Sequence, residues 1–134
     1  MSELSPRQRI RCISALIATL AVVSIASSLT WPILAEALRN QGYSESMIGI
    51  NAAVQFGGIM VVALAAPRII PAMGFFKTIA LGLIVVAIML IALPTFRGFE
   101  TWMLIRFLLG MGNSLLFTAG DTWMNQIVND RVRG

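Results

Sequence analysis

Four long apolar runs, at about residues 12–38, 47–66, 78–93 and 101–127, alternate with short polar or proline-containing connections. At 1.5 Å of rise per residue, helices of these lengths cross or nearly cross a hydrocarbon core about 30 Å thick. The pattern predicts an all-α membrane protein with four transmembrane helices. In the first run Ser24, Ser28 and Trp31 fall at i, i+4 and i+7 and give the helix one mildly polar face, while Pro32 should bend its outer third. In the second, Asn51, Gln55 and Gly58 share a face. Amides in hydrocarbon need partners and glycine admits a close backbone, so that face should look at other helices or a cavity. The third run has no charge or amide and takes lipid contact as its default.

The connections are read from their breakers. Residues 39–46 form a polar turn in which Ser44 or Ser46 caps the next helix. Pro67 to Lys77 carries two prolines and Gly74 and reads as a short loop that cannot be helix interior. Residues 95–100 turn the chain into the fourth run.

Composition sharpens the picture: 57% of residues are hydrophobic and 12% charged, where a soluble domain carries roughly a quarter charged. The basic residues gather at run ends. Arg7, Arg9, Arg11, Arg68, Lys77, Arg131 and Arg133 fall on one side of the membrane and only Arg39 and Arg97 on the other. By the positive-inside rule both termini are cytoplasmic. Ala35-Glu36-Ala37 mimics a signal cleavage site, but the run before it is far longer than a signal core, so it reads as an uncleaved helix. No basic stripe with interleaved aromatics suggests nucleic-acid binding. Cys12 is the single cysteine and there is no histidine, so neither an internal disulfide nor a metal site is supported, and no cofactor is expected. Nothing resembles a nucleophile and base pair or a phosphate loop, which leaves an enzyme reading without support.

The fourth run differs from the others because it holds Arg106 within it and Asp121 toward its far end. Charge at membrane depth is costly and marks an interior or a watery pathway. Arg106, Asn51 and Glu36 lie toward the outer side at depths that allow them to meet, and Gln55 and Asn113 extend the candidate substrate or proton pathway. Gly110, Asn113 and Phe117 continue the face that Arg106 starts. In this reading Arg106 holds an anionic substrate group or modulates a proton-binding carboxylate. The plainer reading is a snorkelling arginine or a structural partner for Glu36. Gly57, Gly58, Gly110 and Gly112 are candidates for helix packing, and Trp31 and Trp102 for interface anchors.

The run Arg106-Phe107-Leu108-Leu109-Gly110-Met111-Gly112 resembles the arginine and glycine signature in the fourth helix of the major facilitator superfamily. The connection holding Gly74 and Lys77 resembles that family's loop Gly-x-x-x-Asp-Arg-x-Gly-x-Arg-Arg, with Pro67, Pro71, Ala72 and Phe76 at positions where the family has glycine, acid, arginine and a basic residue. Asp121 to Asn125 with Asp130 to Gly134 resembles the corresponding end of bacterial efflux-like carriers. The resemblance implies the first four helices of a six-helix amino-terminal half, about a third of such a carrier. It also implies a cytoplasmic gate in which Arg68 or Lys77, beside Gly74, reaches Asp121. The function implied is secondary active transport in the inner cell membrane, as a proton-coupled exporter. Its partners would be the bilayer, a small-molecule substrate, protons and the remainder of the carrier or a second copy. Two alternatives remain open: a small dimeric multidrug-type carrier with a proton-binding glutamate in its first helix, and a non-transporting membrane subunit.

Overall fold

The computed structural model describes residues 6–132, with their side chains except those of residues 6, 8, 9, 12, 124 and 126–132. The side chains of Arg9, Asp130 and Arg131, and the whole of residues 133–134, therefore lie outside the description, and with them part of the stretch that carries the efflux-like resemblance. The chain folds into four helices, α1 (Pro6–Asn40), α2 (Glu45–Met73), α3 (Phe75–Thr95) and α4 (Phe99–Val132). The stretches long and apolar enough to cross a membrane are Ile13–Asn40, Glu45–Met73, Phe75–Thr95 and Phe99–Trp123. Large apolar side chains such as Leu64, Phe76 and Ile91 point outward at more than 70% exposure, the reverse of a water-soluble surface and the expected face toward lipid.

The helices outrun their apolar cores, most of all in α2. The stretch from Pro67 to Lys77, expected as a loop, is helix up to Met73 and again from Phe75. Pro67 and Pro71 lie inside α2. Each proline removes one backbone donor, whereas a loop in hydrocarbon would strand several polar groups, so the helix continues through both. The break narrows to Gly74, whose φ of 82° is open to glycine and strained for other residues, and whose N–H donates to the Ile70 carbonyl at 2.8 Å. At the opposite end Ser44 caps α2, its hydroxyl accepting from the Met47 N–H at 3.4 Å.

α4 is the centre of the bundle. Of its most apolar stretch 61% is buried, against 11%, 22% and 17% for α1, α2 and α3. The close approaches come from glycine. A Cβ at Gly58 would run into the Phe107 carbonyl, and one at Gly110 into the Gln55 carbonyl, so α2 and α4 touch backbone to backbone. On the other side, a Cβ at Gly112 would lie 2.8 Å from a Val86 methyl and one at Gly82 3.0 Å from the Gly112 carbonyl, which joins α4 to α3. Gly110 and Gly112 are two residues apart, about 200° around a helix, so α4 is notched on both sides. Gly57 meets only the Phe107 ring, at 3.8 Å, and is not needed for the approach.

The third helix is thus only partly a lipid-facing element: Thr78, Gly82 and Val86 are buried against α4. Trp102, expected as an interface anchor, is 5% exposed and belongs to the core. Its indole N–H donates to the carbonyls of Phe96 at 2.7 Å and Leu93 at 3.2 Å, supplying a donor at the end of α3 where carbonyls lack helical partners.

Candidate functional site

The stripe Asn51, Gln55, Gly58, Val62, Ala66, Ile70 on α2 is buried, and Gln55 on it faces Arg106 of α4. Arg106 is 2% exposed. Its Nη1 donates to Gln55 Oε1 at 2.8 Å and its Nη2 to the Thr30 carbonyl at 3.4 Å. The Trp31 ring covers the guanidinium, with 4.7 Å from Cζ to the ring centroid, and Phe56 packs on Trp31 at 5.5 Å between centroids. One side chain therefore ties α1, α2 and α4 together through charge-assisted hydrogen bonds and a cation–π contact. Trp31, read above as an interface anchor, spends its ring on this arginine instead.

Glu36 does not join the cluster. It lies beside Arg39, three residues on along α1, and pairs with it at 3.0 Å; Arg39 also pairs with Glu45 at 3.1 Å, both exposed where α1 turns into α2. An i,i+3 neighbour in water is a cheaper partner than a buried arginine across the bundle. Among the described residues no carboxylate pairs with Arg106.

Asn51 is buried at the N-terminal end of the stripe, one turn before Gln55, and neither its Oδ1 nor its Nδ2 has a partner among the described residues. An unsatisfied buried amide costs stability. Asn51→Leu, of similar shape, should therefore raise the unfolding free energy by about 1 kcal/mol in denaturant titrations of the purified protein. A loss of similar size would show that the amide is satisfied in the working protein.

Beyond the arginine toward the C-terminal part of α4, a cavity of about 360 Å³ opens between α1, α2 and α4. Its wall includes Ser24, Ser28 and Trp31 of α1, Gln55 of α2, and Asn113 and Phe117 of α4. Ser27, also in the wall, donates from Oγ to Asn113 Oδ1 at 3.2 Å and links α1 to α4 there. Arg106 is not part of the lining; it stands behind Gln55 and Trp31. Gln55, Asn113 and the Ser24, Ser28, Trp31 face are thus brought to one space, with Arg106 as their support. Sequence reasoning missed Ser27 and Thr30. The signal was there: Ser24, Ser27, Ser28 and Trp31 follow i, i+3, i+4 and i+7, a complete helical stripe of which only three members were noted.

The gate residues are not assembled. Arg68 and Lys77 lie on the exposed sides of α2 and α3, Asp121 is exposed on α4, and no ion pair among the described residues joins them. Beside Gly74 is an apolar hollow of about 430 Å³ bounded by Pro67, Pro71, Phe75, Thr118 and Thr122. Pro71 and Ala72 stand where the family loop has its acid and first arginine, which leaves Arg68 as the charge on the α2 side of this break.

Comparisons with curated proteins and with solved structures found no match. A family model did match: the one described as Major Facilitator Superfamily covers residues 16–134. Four membrane-spanning helices around a polar interior face agree with that match, and the chain belongs to the Major Facilitator Superfamily.

Proposed function

We propose that the chain is a membrane segment of a proton-coupled exporter of small molecules in the inner cell membrane, with both termini cytoplasmic, and that the cavity between α1, α2 and α4 is its share of the substrate path. One observation carries the reading: polar groups from three helices converge on a half-open hollow between α1, α2 and α4, over an arginine buried without a carboxylate partner among the described residues. Polar groups at membrane depth facing a cavity serve a pathway more often than a scaffold. Carriers of this kind rock two halves about a central site, so that each side gains access in turn. Outward direction and proton coupling draw on the resemblance of Asp121 to Asn125 to efflux-like carriers. The dimeric multidrug-type reading loses ground, because its proton site would be Glu36, which is paired with Arg39 near the outer end of α1.

The test needs no known substrate. In a Cys12→Ser background, Ser28→Cys places one thiol in the cavity wall. A membrane-impermeant maleimide applied to right-side-out and to everted vesicles then reports which side the cavity faces. Labelling should shift between the two sides when a pH gradient is imposed and return when an uncoupler collapses it. Labelling indifferent to the gradient in both vesicle types would favour a non-transporting subunit and overturn the proposal.

A further inference from the structure

The cavity's own chemistry narrows its ligand, an inference that rests on the functional reading above. Gln55 is buried and hydrogen-bonded through Oε1, and the orientation of its amide is fixed because a guanidinium can only donate. Its Nε2 has no hydrogen bond among the described residues, is not sealed from solvent, and belongs to a residue in the cavity wall. In Asn113, Oδ1 accepts from Ser27 and Nδ2 has no hydrogen bond among the described residues; because a hydroxyl can also accept, this orientation is not forced as that of Gln55 is. Two amide donors are therefore left for whatever occupies the space. Among the described residues no acidic or basic side chain lines it, while the positive charge of Arg106 stands just behind Gln55 and Trp31 in a medium of low dielectric. The remaining surface is mostly apolar, with the flat rings of Trp31 and Phe117 at its edge.

We infer that the cavity takes an uncharged, acceptor-bearing aromatic or amphipathic molecule, with carbonyl, ether or oxide oxygens on Gln55 and Asn113 and its flat apolar part against Trp31 and Phe117. A cation would meet two N–H dipoles pointing their positive ends at it, a buried like charge behind them, and no carboxylate. Arg106 in this arrangement is a positioning residue: it turns the Gln55 amide so that the donor end faces the cavity and holds the Trp31 ring in the wall. It does not touch the ligand.

The experiment uses benzophenone, a neutral aromatic ketone, as a photoprobe on the protein in lipid nanodiscs, with labelled residues mapped by mass spectrometry. The competitors are triphenylphosphine oxide and methyltriphenylphosphonium, nearly identical in shape and differing in an acceptor oxygen against a methyl group and a positive charge. The expected result is labelling in the cavity wall that the oxide suppresses at a concentration at least tenfold lower than the phosphonium. Asn113→Leu, and independently Arg106→Lys, should shrink that ratio while leaving the circular dichroism of the protein unchanged. Equal or better competition by the phosphonium would overturn the inference and leave the cavity standing as a site. Absence of any labelling in the cavity wall would overturn the inference also, and gradient-dependent maleimide labelling would then decide separately whether the transport reading survives.

Discussion

Gly110→Val should cost the fold about 3 kcal/mol or more, the largest loss expected from any single substitution considered. The Cβ it adds is aimed at the Gln55 backbone carbonyl and toward the Ile59 amide, neither of which can rotate away as a side chain would. α2 and α4 must separate, and the loosened interface includes the Gln55 to Arg106 bond one turn earlier on α4. Dispersion contacts fall steeply with separation and are the main attraction between helices in lipid, where little hydrophobic driving force remains. Gly57→Ala is the matched control: its Cβ would meet only the Phe107 ring at an ordinary 3.8 Å, and the change should stay within about 0.5 kcal/mol. Denaturant unfolding of both variants in one detergent, followed by tryptophan fluorescence, checks the pair. If Gly110→Val unfolds with Gly57→Ala, the backbone contact is not what joins these helices.

The second large effect is an asymmetry between two partners of one hydrogen bond. Gln55→Leu leaves Arg106, 2% exposed, without its short bond to Oε1 and should cost about 2–3 kcal/mol, since hydrogen bonds to charged groups are the strong ones. Arg106→Leu removes the charge together with its needs. The Gln55 amide it leaves behind borders the cavity and can be served by water there, so the cost should be nearer 1 kcal/mol. The double variant should then be no less stable than Gln55→Leu alone, giving a coupling of about 1–2 kcal/mol in a double-mutant cycle. Additive single effects would mean that the two side chains do not share the bond.

The parts of this fold legible in the sequence were those governed by period. The Asn51, Gln55, Gly58 face was correctly turned inward because polar spacing on a helix survives any tertiary arrangement. What failed were rules calibrated on water. Two prolines and a glycine end a helix where the freed groups can be solvated, and in α2 only Gly74 did so. Trp31 and Trp102 stand near run ends, where an interface anchor and a core residue look alike from sequence; packing against Arg106 and the end of α3 decided between them. The pairing of Arg106 with Gln55 rather than Glu36 depends on helix register, set by Gly58 and Gly110 meeting opposite backbones, which no local pattern encodes. The Glu36 to Arg39 pair, in contrast, lay in plain view at three residues' spacing.

The two notches of α4 also have a mechanical meaning. A helix seated by Gly110 on one neighbour and by Gly112 on the other cannot slide along its axis without climbing out of both seats at once. α2, α3 and α4 must therefore travel as a plate. α1 has no such seat: its polar ties to the plate at depth are the single bonds Ser27 to Asn113 and Arg106 to Thr30. Tilting α1 against the plate disturbs these two hydrogen bonds, the Trp31 to Arg106 contact and the side-chain contact of Leu20 with Gly120, but no backbone-to-backbone seat, so the cavity is least rigidly held on its α1 side.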